Sequence, residues 1–216
     1  MKSTVRLIVL GHTKFRDNSI VLHTLSETYG RRSFLVRVGK HTSMASFLPM
    51  SIVEAEVTPN PKSSLWSARG FTTVHPLLGI RDNMYKNTIT LFMSEVLFRV
   101  VREDTAEEGL YEWCEKNVIT LNDLEGDWGN FHIRFLLEMA VALGFSPSWE
   151  DLAPFAGEYL EVLKRFLSAS FSESMLIPLG GADRNAIAER LLRYLEYHTE
   201  SSLNVRSLPV LRELYR

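Results

Sequence analysis

The chain has 216 residues, 45% of them apolar, with 24 Lys/Arg against 26 Asp/Glu. That length and mix support one large or two small folded domains and exclude wholesale disorder. A single cysteine, Cys114, excludes an internal disulfide and a cysteine-rich zinc site.

The net charge of −2 hides an asymmetry. Residues 1–80 hold ten Lys/Arg and four Asp/Glu, a net of +6, and the remainder carries −8. Four of the six histidines also fall in the first part. Such a division points to a polyanion partner for the basic part. The alternative is a soluble protein with unevenly spread charge. The apolar run at residues 7–10 is too short for a signal-peptide core, and no stretch approaches the ~18 apolar residues of a membrane span. The expected location is the cytoplasm, with no membrane association.

Up to about residue 75 the pattern is that of strands. Residues 6–10, 19–25, 32–38, 52–58 and 65–73 are short runs rich in Val, Ile, Leu, Phe, Trp and Thr. Turn chemistry separates them at 14–18, at Tyr29-Gly30, over 39–46 and at the Pro-Asn-Pro of 59–64. Residues 19–25 also fit a helical face through Ile20, Val21 and Leu25. Five short strands predict a small closed or nearly closed β-barrel.

From residue 81 the period becomes helical. Met84, Tyr85, Ile89, Phe92, Met93, Val96, Leu97 and Val100 mark one side of a long amphipathic helix. A second helix is predicted from Trp128 to Leu143, stopped by Gly144, with Pro147 following. Leu160, Leu163, Phe166 and Leu167 mark a third. Asp183 is placed to cap a fourth, in which Ile187, Leu191, Tyr194 and Leu195 share a face. Leu208, Leu211, Leu214 and Tyr215 suggest a closing helix. The expected fold class is α+β, with a β-domain over 1–80 and an all-helical domain over 81–216.

Catalytic motifs are absent. No phosphate-cradling glycine loop, G-x-G-x-x-G, H-E-x-x-H or G-x-S-x-G occurs. Cys114 lies beside Trp113 in a helical segment and reads as a buried, inert thiol. His12, His23 and His41 have no metal-binding spacing within one element. No enzyme activity, cofactor or metal is expected.

Residues 28–41, TYGRRSFLVRVGKH, carry the strongest binding signal. In a strand entered at Tyr29-Gly30, Phe34, Val36 and Val38 face the barrel core. Arg31 and Arg37 then lie on the opposite face, with Lys40 and His41 in the loop beyond. Small barrels of the OB type bind single strands with a basic groove and aromatic platforms. Phosphate-contact candidates are Arg31 and Arg37, then Arg32, Lys40, Lys14 and Arg16, because arginine forks onto phosphate and stacks on bases. Platform candidates are Tyr29, Phe15, Trp66 and Phe71. Each of these aromatics also fits the core.

Several motifs together resemble the RecO family of recombination mediators. They begin with an Ile8-Val9-Leu10 strand and a turn with Phe15 and Asp17. Ser26-Glu27-Thr28-Tyr29-Gly30-Arg31 follows, then Arg37 seven positions past Gly30, with Gly39 nearby. The later part carries Arg134-Phe135-Leu136-Leu137, Leu143-Gly144-Phe145 and the closing Ser207-Leu208-Pro209-Val210-Leu211. Many family members bind zinc through a cysteine cluster after the Leu-Gly-Tyr segment. Here that stretch reads SWEDLAPF, so the resemblance is to a zinc-less variant.

The resemblance implies an N-terminal OB-fold barrel that meets single- and double-stranded DNA, followed by a helical domain. It implies strand annealing, and action with RecR to load RecA onto DNA coated by single-strand-binding protein. It also implies that the helical domain docks that protein's acidic, Phe-ending tail through Arg134 and Phe135. Because the helical part is acidic overall, such a site requires a local basic patch, with Lys116 or Arg102. The alternative role for Arg134 is an i,i+4 pair with Glu138. A generic OB-type nucleic-acid binder and a protein-interaction scaffold are the competing readings.

Overall fold

A computed structural model describes residues 2–40 and 42–214. His41 and Tyr215, assigned above to a loop and a closing helix, lie outside the described residues. The chain divides into two compact units. One comprises Met1–Leu78 with Val101–Val118, the other Gly79–Val100 with Ile119–Arg216.

The first unit is built on five strands: β1 (Ser3–Arg16), β2 (Ser19–Ser26), β3 (Gly30–Arg37), β4 (Ile52–Thr58) and β5 (Trp66–Thr73). They close in the order β1-β2-β3-β5-β4, the OB-fold arrangement expected from the sequence. β1 serves two neighbours. Its first part pairs with β4 from Ser3↔Val57 to Ile8↔Ile52, and its later part pairs with β2 as far as Arg16↔Ser19. Register shifts at Val9/Gly11 and Lys14/Arg16 let the strand bend between these partners. β1 therefore runs well past the expected end at Leu10. Residues 12–16 are exposed and show no apolar alternation, so main-chain pairing with β2 carries the strand there. Only Asp17 and Asn18 remain for the turn.

The barrel interior holds Leu7, Val9, Leu22, Phe34, Val36, Val53, Ala55 and Val57, with Phe47 from a short 3-10 turn over Met44–Phe47. The period-2 alternation of β2, β3 and β4 produces this core directly. At ~25 cal/mol per Å² of apolar surface removed from water, burial of these side chains is the main force closing the barrel.

The helices are α1 (Leu78–Arg81), α2 (Met84–Val100), α3 (Leu110–Asp123), α4 (Phe131–Ala142), α5 (Trp149–Ala156), α6 (Leu160–Ser168), α7 (Phe171–Met175), α8 (Gly181–Thr199) and α9 (Ser207–Leu214). In α2 the expected apolar face is buried from Ile89 to Val100, but Met84 and Tyr85 are exposed. Lys86 is buried in their place. Its ammonium donates to the carbonyls of Asn122, at 2.9 Å, and Leu124, and lies 5.2 Å from the Trp128 ring. The cation caps the C-terminal end of α3.

Asp183 does not cap α8, which starts at Gly181 with Gly180 as its N-cap. The carboxylate sits in the first turn and accepts a hydrogen bond from the Tyr159 hydroxyl at 3.2 Å. Glu95 of α2 holds the start of α9. It accepts from the Arg206 and Ser207 amides at 3.0 and 2.8 Å and from the Ser207 hydroxyl at 2.7 Å. No helix among the described residues is long and apolar enough to cross a membrane.

Candidate nucleic-acid interface

The β1–β2 hairpin and the end of β3 form one basic surface. Arg16 pairs with Ser19 in the β1–β2 ladder, and Ser19 pairs with Arg37 in the β2–β3 ladder. The row Arg16, Ser19, Arg37 thus crosses three strands. Neighbouring strands lie ~4.8 Å apart, so the two arginines flank one small hydroxyl residue about two strand spacings apart. Lys14, opposite Ile20 in the ladder, is exposed on the other face of the hairpin, and Lys40 follows β3 in an exposed loop. Among the described residues, no acidic side chain pairs with Lys14, Arg16, Arg37 or Lys40.

Phe15, at the hairpin tip, is 49% exposed, and the Arg16 guanidinium lies 5.2 Å from its ring centroid. An exposed ring against an arginine with no acidic partner is equipment for meeting a phosphate backbone.

The first half of β3 is engaged differently. The segment after α2 runs along its edge, with a parallel bridge between Arg31 and Glu103. The Asp104 amide donates to the Arg31 carbonyl at 2.9 Å. The Arg31 guanidinium donates in turn to the Val101 carbonyl at 2.5 Å. Arg32 forms a 2.7 Å ion pair with Asp104 and lies 4.0 Å from the Trp66 ring centroid and 6.0 Å from that of Tyr29. Its side chain is only 13% exposed, and its Nε is buried without a hydrogen-bond partner.

The close approach depends on Gly30. Its φ is 64°, and a Cβ there would meet the Thr105 carbonyl oxygen at 1.9 Å. Arg31 and Arg32, expected on the phosphate-facing surface, are therefore occupied by residues 101–104. The cause is a main-chain bridge that the local sequence does not encode.

The aromatic candidates divide in the same way. Trp66 and Tyr29 pack edge to face at 5.0 Å and serve Arg32. Phe71 packs against Phe47 at 4.9 Å. Phe15 is the exposed ring of the four.

Between the two halves of β3 runs a polar chain. The Ser33 hydroxyl donates to Glu103 at 3.0 Å, so it accepts from His23 Nδ1 at 2.9 Å. His23 Nε2 then faces the Thr13 hydroxyl at 3.1 Å. Burial lowers the His23 pKa, Arg31 and His12 lower it further, and Glu103 opposes them. The sequence gives no sign of this chain, because Glu103 lies 70 residues from Ser33.

In the helical unit, Arg134 forms the expected i,i+4 pair with Glu138, at 2.6 Å. It also donates to the carbonyls of Phe166 and Ala169 at 3.0 and 3.1 Å, closing the end of α6. Phe135 is 1% exposed and belongs to the core, so its ring offers no wall to a ligand. Lys116 and Arg102, the suggested companions of Arg134, belong to the other compact unit. Cys114 is fully buried, and burial pushes its thiol pKa far up. Among the described residues, no group of three or more His, Cys, Asp or Glu is placed to hold a metal ion.

Comparison with known proteins agrees with this architecture. The family model described as Recombination protein O C terminal matches residues 81–154. A DNA repair protein RecO of Bacteroides fragilis is 31% identical over 160 residues, covering 72% of this chain and 65% of that protein, just under two thirds of its length. The DNA repair protein RecO of Phocaeicola vulgatus is 25% identical, over 96% of this chain and 97% of that protein. That of Flavobacterium johnsoniae is 25% identical over the whole of both chains. Barrel topology, helical unit and these matches converge: the chain belongs to the RecO family of DNA repair proteins.

Proposed function

We propose that the protein is a recombination mediator. It binds single- and double-stranded DNA, anneals complementary strands, and with RecR helps load RecA onto DNA coated by single-strand-binding protein. No covalent chemistry is part of this reading, and the place of action is the cytoplasm, at the nucleoid. Residues 1–80 meet DNA, and residues 81–216 dock the acidic tail of single-strand-binding protein. The observation that carries the DNA-binding part is the row of Arg16, Ser19 and Arg37 across an OB barrel, with Lys14 and Lys40 exposed nearby and no acidic partner for any of the four cations among the described residues. Unpaired cations on an exposed sheet attract a polyanion by releasing its counterions. Arg31 and Arg32 hold residues 101–104 along the first half of β3 and contribute less directly.

Tail docking rests on the family relationship and on Arg134. One observation favours a second reading, a generic OB-type strand binder. Three of the five N–H donors of Arg134 are already used, on Glu138 and on the carbonyls of Phe166 and Ala169. Titration of a labelled acidic, Phe-ending peptide separates the two readings. The mediator reading expects saturable binding that weakens with salt, together with faster annealing of complementary oligonucleotides. DNA binding without either response leaves the generic binder.

A further inference from the structure

β3 and β5 run parallel but share only two register pairs, Phe34↔Trp66 and Leu35↔Ser67. Past those pairs β5 changes course. Gly70 takes φ 66° and stands at the register irregularity of β5 against β4. A left-handed residue in a bulge bends its strand, which here comes just beyond the level of Arg37.

Beside the bend lies a cleft of ≈ 650 Å³, lined among others by Arg37, Ser46, Phe47, Ser67, Arg69 and Phe71. Small-molecule sites run ~300–1,000 Å³. The lining is mixed in a specific way. Phe71, braced edge to face on Phe47, offers an apolar surface. Ser46 and Ser67 supply hydroxyls. Arg69 is held by Glu56 through two 3.0 Å hydrogen bonds, so its charge is compensated. Arg37 is the cation left for a ligand. A second depression, lined by Asn18, Ser19, Arg37 and Lys40 with Val38 and Gly39, shares Arg37 with the cleft. The cleft and that depression thus meet at Arg37, the β3 end of the basic row.

We propose that this cleft receives one unstacked base of a DNA strand whose phosphates run along Lys14, Arg16, Arg37 and Lys40. The inference rests on the DNA-binding reading above and deepens it. An aromatic surface takes the flat face of any base, and hydroxyls satisfy its edge without selecting a sequence. A base held in a duplex must first be unpaired and unstacked to enter. The cleft thus adds affinity for single strands and none for duplex.

The test is fluorescence anisotropy with three labelled probes of equal length: oligothymidylate, a strand of abasic sites, and a duplex. The wild-type protein is compared with Ser67→Met, which crowds the cleft with a non-aromatic side chain, and with Phe71→Leu, which keeps apolar packing but removes the ring. The wild-type protein is expected to bind oligothymidylate about tenfold more tightly than the abasic strand, the effect of one stacked base. Both variants lose that preference, and duplex affinity stays within about twofold throughout. Equal wild-type affinity for the two strands overturns the inference without relying on any variant. A Ser67→Met or Phe71→Leu protein that is folded and retains the full preference also overturns it, because the base then stacks elsewhere. Absence of binding to all three probes at low salt removes the DNA-binding reading itself, and the cleft proposal with it.

Discussion

Arg16 and Arg37 stand on opposite sides of Ser19, one on β1 and one on β3, in a single row across the sheet. Twenty-one positions separate them in the chain, and the register of two antiparallel ladders brings them together. Neither has an acidic partner among the described residues. The adjacent Arg31 and Arg32 are already occupied by residues 101–104. The two arginine pairs thus do different work, one facing outward and one holding the unit together.

Each outward arginine is expected to neutralise one phosphate. Arg16→Ala and Arg37→Ala should each reduce the slope of log affinity against log salt by ~0.7 on single strands, and the double variant by ~1.4. The loss should be the same for different base sequences. Anisotropy titrations across a salt series check it, and an unchanged slope in either variant removes that residue from the interface.

Arg32→Met should behave in the opposite way. The ion pair with Asp104 is discounted because the Asp104 side chain is 46% exposed. The stack on Trp66 is more sheltered. Together they are worth ~1–2 kcal/mol, read as a lower urea midpoint. The salt slope for DNA should not move. A stable variant with a reduced slope would reverse this assignment and return Arg32 to the DNA-binding surface.

Arg134→Ala should destabilise the helical unit whether or not a tail peptide binds. It strips the carbonyls of Phe166 and Ala169 of their charged donor and leaves Glu138 unpaired. A loss of ~2 kcal/mol is expected for hydrogen bonds to a charged group. Urea unfolding followed by circular dichroism measures it. Unaltered stability would mean that the guanidinium is not needed to close α6. The peptide titration therefore calls for a stability measurement beside it.

Glu95 predicts a pH dependence. Burial raises its pKa, but hydrogen bonds from the Arg206 amide, the Ser207 hydroxyl and amide, and Arg99 outweigh burial and leave it below the ordinary value of 4.5. A carboxylate with a depressed folded pKa binds fewer protons in the folded state than in the unfolded state. Its contribution is fully present above pH 4.5 and is lost as pH falls through the depressed value. Glu95→Gln should flatten the acid limb of the stability curve measured by urea midpoints between pH 6 and the acid transition. An identical limb in both proteins would show that Glu95 is not responsible.

Much of the barrel was legible because Val53, Ala55 and Val57 alternate with Glu54 and Glu56, and Phe34 and Val36 sit two apart between Ser33 and Arg37. The end of β1 was not legible. His12 to Arg16 carry no apolar pattern, and only the partner strand holds them extended. Nor was the fate of Arg31 and Arg32, because Val101 and Asp104 reach them from about 70 positions away. Two short helices were missed although their start signals are present. Ser148 with Asp151, and Ser170 with Glu173, form reciprocal capping boxes at α5 and α7. Eight and five residues are too few for the apolar period to show. The burial of Lys86 was not legible either. A buried lysine is visible only once the carbonyls of Asn122 and Leu124 are in place to receive it.

The most direct test of the central claim is the salt dependence of single-stranded oligonucleotide binding by the wild-type protein. Four uncompensated cations at ~0.7 per phosphate predict a log–log slope of about −3, with clear binding at low salt. No binding at low salt, or a slope near zero, would contradict the claim that Lys14, Arg16, Arg37 and Lys40 hold a DNA backbone.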